Sequence, residues 1–376
     1  MSETELAEAD RLDGAPHPRE AAAVFGQGRA EAEFLATIAS GRLHHAWLLT
    51  GPRGVGKATL AWRMARFLLA EPPAAGDGLF GAPPPPDSLD VAPDHPVARR
   101  VAALSEPRLL LLRRTVNEKT GKLARVISVD EVRRLRDFFG LSAAEGGRRV
   151  VIVDSADEMN PSAANAILKV LEEPPPDAVL LLVSHTPSRL LPTIRSRCRV
   201  LRCDPLLPRD MDRALAQAGV TVPEDDLAAV TELARGSVGD AIRLVQRDGL
   251  SLYRQMLGIM AGMPGFDRTA LARLAGSVGQ GGDAAERAGE IVDLASVLLS
   301  RLARAAAGAA ATAVAPDETK LWARLGAGPG DARRWADAAQ AVPARARSAL
   351  ALNLDPSSVI VDMFLAISET AACTAA

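Results

Sequence analysis

The stretch 50–61 reads TGPRGVGKATLA. Gly51, Gly56 and Lys57 stand where the phosphate-binding pattern G-x-x-x-x-G-K-[ST] requires them. Glycines let backbone N–H groups turn inward around phosphate oxygens, the helix that follows adds its positive end, and the lysine reaches the β- and γ-phosphates. Gly51, Pro52, Gly54, Val55, Gly56, Lys57, Ala58 and Thr59 therefore form the candidate nucleotide-binding loop. Position 58 departs from the pattern. A working loop places a Ser or Thr hydroxyl on Mg²⁺ there, and Ala58 has no oxygen. Thr59 lies one residue on, about 100° further round a helix, and is badly placed to substitute. The loop predicts a phosphate contact from Lys57 and leaves open whether a nucleotide is turned over, merely held, or absent.

A second chemical position follows in VVIVDSADEMN, 150–160. A hydrolytic site of this kind carries a metal-binding Asp at a strand end and a Glu immediately after it to orient water. Asp154 is present, but the next residue is Ser155, which cannot act as a carboxylate base. Asp157 and Glu158 lie three and four residues past the strand end and are expected to point elsewhere. The plainer reading of Asp154 is a strand-end carboxylate facing solvent. A third position is Arg197 in IRSRC, 194–198. An arginine between a short helix and an edge strand could reach a neighbouring subunit's nucleotide and stabilise the transferring phosphoryl group. From spacing alone a surface ion pair is the blander alternative, worth about 0–1 kcal/mol. Ser184–His185 ends another strand, and His185 reads as a satisfied strand-end histidine ahead of a phosphate donor. His44 and His45 are given no metal role, and no metal site is expected.

These positions need a scaffold. AWLLT (46–50), RLLLLRR (108–114), RRVVIVDSA (148–156), AVLLLVSH (178–185) and VLRC (200–203) read as buried strands. Helical stretches lie between them, at 58–70, 128–139 and 160–175. Ser128 with Glu131 makes a capping box, and Asn160–Pro161 is an N-cap followed by Pro at the first helical position. Strands that are apolar throughout and alternate with helices indicate a parallel sheet covered on both faces. From about 207 onward helical periodicity takes over, at 222–234, 238–247, 251–261, 285–307, 331–351 and 356–370. The fold class is thus α/β, a parallel-sheet P-loop domain followed by helices. The expected division is 1–206 for the α/β domain, with a Pro-rich insertion at 71–96; 207–248 for a small helical lid; and 249–376 for an all-α domain. Residues 1–20 are expected to be a mobile polar tail.

The totals limit the function classes. With 44 basic and 46 acidic residues, the net charge of −2 argues against strong DNA binding by the chain alone. Only five of those 44 are Lys, so an isolated Arg is a weaker signal here than usual. Three cysteines without a C-x-x-C fit a reducing cytoplasm and no zinc cluster. No run approaches about 18 uncharged apolar residues, so no membrane span is expected. The acidic N-terminus argues against a secretory signal.

GRLHHAWLLTGPRGVGKATLA, NAILKVLEEPP, TIRSRC and ARGSVGDAIRL occur in that order. Together they resemble the clamp-loader branch of AAA+ proteins, in particular its delta-prime members. The resemblance is sharp over about 40–245 and looser beyond, where NLDPSSVIVDMFLAI (353–367) resembles the last collar helices. Motor subunits of that family carry K-[ST], D-E and an Arg in GSxRDA. Here the matching positions are Lys57–Ala58, Asp154–Ser155 and GSVGDA, where Gly239 replaces the Arg. The resemblance therefore implies a stator of the DNA polymerase III clamp loader. It would not hydrolyse ATP itself but would lend Arg197 of SRC in trans, within a subunit of the DNA-directed DNA polymerase III holoenzyme. Implied partners are motor and delta-like subunits, met through collar and AAA+ domains, and the sliding clamp and primed DNA within the complex. No cofactor is required, and ATP or ADP could be bound without hydrolysis. VFGQ (24–27) resembles the stretch lining the adenine pocket. The family's Cys₄ zinc module has no counterpart in 71–96. The competing reading is an active AAA+ motor in which Thr59 and Asp157 or Glu158 take unorthodox roles.

Overall fold

The computed structural model describes residues 8–9, 11–70, 86–116, 122–140, 146–279, 283–309, 312–328 and 330–374. The chain divides into two compact units, Met1–Thr221 with Arg235–Ile242, and Val222–Ala234 with Arg243–Ala376. In chain order the first part contains α1 (Gly28–Ala39), β1 (Ala46–Thr50), α2 (Lys57–Ala70), α3 (Pro96–Ala102), β2 (Leu109–Leu112), α4 (Val129–Gly140) and β3 (Arg149–Asp154). It continues with α5 (Pro161–Glu172), β4 (Ala178–Ser184), α6 (Pro192–Arg195), β5 (Arg199–Arg202) and α7 (Pro208–Gln217). Then follow α8 (Glu224–Leu233), α9 (Val238–Gln246), α10 (Gly249–Ala261), α11 (Arg268–Gly276), α12 (Ala284–Ala306), α13 (Glu318–Leu325), α14 (Asp331–Ala351) and α15 (Pro356–Thr374).

All five strands are parallel, in the order β2-β3-β4-β1-β5. Their apolar runs are explained by burial on both faces. Ala46, Leu48, Val151, Val153, Leu180 and Leu182 join one core with α4 (Val132, Leu135) and α5 (Ala163, Ile167, Leu171). The alternate residues Trp47, Leu49, Val150, Ile152, Leu181 and Val183 are equally buried, as the period of two requires. On α2, Leu60, Met64 and Leu68 are buried, each worth about 1.5–3 kcal/mol. The predicted caps are present: Asn160 accepts from Ala163 N–H at 2.8 Å. Ser128 accepts from Glu131 N–H at 3.4 Å, while the Glu131 carboxylate pairs with Arg134 at 2.7 Å instead of completing the box.

The expected mobile tail is corrected from residue 8 onward. His17 is buried edge-on against Trp62. Glu8 accepts from Arg19 at 2.8 Å and from Arg113 at 2.9 Å, and those two arginines hold its carboxyl below the usual range against the opposing effect of burial. Arg63 and Arg66 of α2 donate to the carbonyls of Ala22, Arg19 and Ala21. The polar sequence thus hid a strap whose backbone acceptors are satisfied by the buried Arg63 and the half-buried Arg66. Residues 1–7 of the tail and 71–85 of the Pro-rich insertion lie outside the described residues; α3 begins where that insertion was expected to end.

The regular elements of the second unit, among its described residues, are all helices. At its centre Glu318 accepts from Arg301 Nε at 2.7 Å, Tyr253 OH at 2.6 Å and Val314 N–H at 2.7 Å. Arg301 also reaches Glu232 of α8 at 2.7 Å. The window Pro356–Cys373 of α15 has a mean hydropathy of 1.2, long and apolar enough by composition to cross a membrane. It nevertheless carries Asp362 and Glu369, and Ile360, Met363, Phe364 and Ile367 are buried within the unit.

Candidate nucleotide loop and the arginine of the edge strand

Residues 51–56 turn between the end of β1 and the start of α2, which opens at Lys57. Gly51 has φ +142°, and a methyl group there would stand 2.2 Å from the Cys203 carbonyl. Gly54 has φ +76°, and a methyl there would stand 2.3 Å from Ser237 Oγ. Both glycines are therefore required by contact as well as by backbone conformation. The Gly54 carbonyl accepts from the first N–H groups of α9, Val238 at 2.8 Å and Gly239 at 3.3 Å. Gly239, read from sequence as a lost arginine, thus lays its backbone directly on the loop.

Lys57 is 2 % exposed. Its ammonium donates to the carbonyl of Gly51 at 2.7 Å and to that of Pro52. Burial lowers its pKa to about 8, opposed in part by the charges of Asp154 and Asp157. Val55 is buried, and Ala58 and Thr59 follow on the first turn of α2. Gln27 bridges the loop to the exit of β5, donating to Val55 O and Asp204 O, both at 2.9 Å, and accepting from Asp204 N–H at 3.0 Å. Val24 lies 3.3 Å from where a methyl on Gly56 would stand.

Asp154 and Ser155 are each 8 % exposed at the end of β3, so Asp154 is not the solvent-facing carboxylate of the plainer reading. Ser155 Oγ meets His185 Nε2 at 2.9 Å, and the His185 N–H donates to Asp157 Oδ1 at 3.0 Å. Asp157, expected to point away, instead ties the ends of β3 and β4 together. Glu158 does point elsewhere, pairing with Arg114 at 2.7 Å. Burial and the neighbouring Lys57 charge depress the His185 pKa to about 4, so its imidazole is neutral at pH 7. No cluster able to hold a metal occurs among the described residues.

Arg197 stands at the opposite end of the sheet. β5 runs parallel to β1, with Trp47 beside Arg199 and Thr50 beside Arg202, and Cys203 N–H then donates to Thr50 O at 2.8 Å beside the loop. The six residues from Arg197 to Cys203 span about 20 Å of extended chain. Arg197 therefore cannot serve the loop of its own chain. Its guanidinium donates to Thr193 O at 3.0 Å and pairs with Glu172 at 2.9 Å. Sequence reasoning missed Ser237 and Glu172 as site residues, placed Gln27 only within a stretch resembling an adenine-pocket lining, and weighed Asp157 only as an unorthodox catalytic group. Only Ser237 had a local signal, its S-x-x-D spacing to Asp240, whose N–H it caps at 3.1 Å.

A parallel sheet with a phosphate-type loop between β1 and α2, followed by helices, defines an α/β protein of the P-loop class. Residues 26–206 match the family model described as DNA polymerase III, delta subunit. The chain is 37 % identical to DNA polymerase III subunit delta' of Pseudomonas aeruginosa, over 58 % of this chain and 60 % of that one. It is 32 % identical to subunit delta' of Escherichia coli, over 57 % of this chain and 59 % of that one. Against a DNA polymerase III gamma-subunit-related protein of Thermotoga maritima it superposes with a TM-score of 0.40, at 18 % identity, covering 91 % and 99 % of the two chains. Residues 26–206 are thus similar to that family and to these delta' subunits. It spans about 60 % of the length of the curated delta' relatives it matches.

Proposed function

We propose that this chain is a delta-prime-like stator of a DNA polymerase III clamp loader, a cytoplasmic subunit that assists ATP-dependent loading of a sliding clamp onto primed DNA. It does not hydrolyse ATP itself. Ala58 offers no magnesium ligand, Ser155 has no carboxylate and its hydroxyl meets His185, and at position 239 a backbone N–H meets the loop where a motor has a guanidinium. Lys57 keeps its ammonium on loop carbonyls and is available to ATP or ADP only as an unhydrolysed ligand. Residues 207–248 serve as the lid and 249–376 as the collar that joins motor and delta-like subunits.

The observation that carries this reading is the location of Arg197. It sits a strand's length from its own loop, so its only route to a phosphoryl group is in trans, at a neighbouring motor's ATP. Arg197→Ala is expected to leave the fold and the assembly intact. At the motor site it serves, ATP turnover stimulated by DNA and clamp should fall by about 10³-fold or more. Single-turnover hydrolysis in the reconstituted complex measures this, and an unchanged rate removes the trans role.

A further inference from the structure

The guanidinium of Arg197 is held on two sides. Nη1 donates to the carbonyl of Thr193 at 3.0 Å, one helical turn back. Nη2 meets Oε1 of Glu172, the last residue of α5, at 2.9 Å. Both supports rest on the same core: Ile194 and Cys198, which flank Arg197, are buried in one cluster with Leu171, which precedes Glu172. The end of α5 is further fixed by His45, whose Nε2 meets Leu171 O at 3.1 Å. Cys198 is thus the pin of the SRC turn, since its buried thiol faces the core while Arg197 faces out. Arg197 and Glu172 remain 35 % and 49 % exposed. An ion pair so open contributes little to folding, so stability does not account for it. Two anchors on two different nitrogens do fix the plane and direction of a side chain with four free torsions. Of its five N–H donors, three are left for an incoming anion.

We propose that Glu172 is a positioning residue for Arg197: from the end of α5 it sets the guanidinium in the orientation in which it meets the neighbouring subunit's phosphoryl group. This rests on the trans reading of Arg197. The LEEPP segment then has a part in the reaction beyond ending a helix.

The test is ATP hydrolysis by the reconstituted complex, with clamp and primed DNA, carrying Glu172→Ala, Glu172→Gln, Arg197→Ala or the Glu172→Ala/Arg197→Ala pair. Glu172→Ala is expected to lower kcat at the served site by about threefold to 100-fold. KM for ATP, the melting temperature of the chain and assembly of the complex should not change. Glu172→Gln keeps an acceptor oxygen and should stay within about twofold of the parent. The double variant should fall no further than Arg197→Ala alone. If Arg197→Ala slows turnover but Glu172→Ala matches or exceeds the parent rate, positioning is wrong and the trans arginine stands. Losses that multiply in the double variant also overturn positioning, because the two residues then act separately. A wild-type rate for Arg197→Ala removes both claims.

Discussion

At the residue scale, four side chains bear on what the loop can do. Ala58 gives a metal nothing to bind. At position 155 a carboxylate would lie at a strand end beside Asp154, but the hydroxyl there turns to His185. That exchange has a measurable signature. The His185 pKa is depressed to about 4 by burial first and by Lys57 second, against about 6.5 in an unfolded chain. Between those values the unfolded state binds more protons, so this residue lowers stability as pH falls from about 6.5 toward 4. His185→Asn removes that contribution. Denaturant unfolding at pH 7 and pH 5 should show the variant losing less stability on acidification than the parent. Equal losses would mean that the imidazole is not buried neutral beside Ser155. Lys57, with a pKa of about 8, is charged in the same range and sheds its proton only above it.

At the scale of elements, the loop and the start of α9 form one structure. The Gly54 carbonyl takes the first two N–H groups of α9, which a free helix end would leave to water. Because Gly54 has φ +76° and Ser237 Oγ occupies the space a side chain would need, Gly54→Ala should cost about 1–3 kcal/mol. It should also speed amide exchange at Val238 and Gly239. Unchanged exchange at those two amides would show that the contact does not hold α9 on the loop. Much of this scale was legible in sequence. Each of the five strands was expected within a few residues of where it lies, because a strand buried on both faces leaves an unbroken apolar run bounded by turns. The strap was not legible: its acceptors are backbone carbonyls, and Arg63, buried beneath it, and the half-buried Arg66 look like surface residues of α2. Nor were α11 and α13 separated from their surroundings, where short Ala- and Gly-rich segments blur the helical period.

At the scale of the whole molecule, the loop and Arg197 occupy opposite ends of one sheet, so the loop and the proposed trans role of Arg197 can be tested apart. Restoring local chemistry with Ala58→Thr and Ser155→Glu is therefore expected to give no ATP turnover by the purified chain, because at position 239 a backbone rather than a guanidinium faces the loop. Sustained phosphate release by that double variant would contradict the stator reading. The second unit has its own centre in Arg301 and Glu318, where a charge buried on α12 is answered from α10 and α13. Burial works against the Arg301 charge, but its hydrogen bonds to Glu318 outweigh that and hold the guanidinium protonated. Such a pair is costly to leave half-made, which gives the helical unit a fixed arrangement.

The sequence by itself determined the α/β class, the phosphate-type loop, the missing hydroxyl and carboxylate at Ala58 and Ser155, and the candidacy of Arg197. Each of these is a matter of which atoms a residue carries, and of period or spacing along the chain. Only the tertiary structure decided that Asp157 and His185 join two strand ends, that Gly239 lies on the loop, that Gln27 ties the loop to β5, and that Arg197 faces away from its own loop with Glu172 beside it. Those facts depend on which strand lies next to which and on the backbone groups each contact satisfies, and neither quantity is local in sequence.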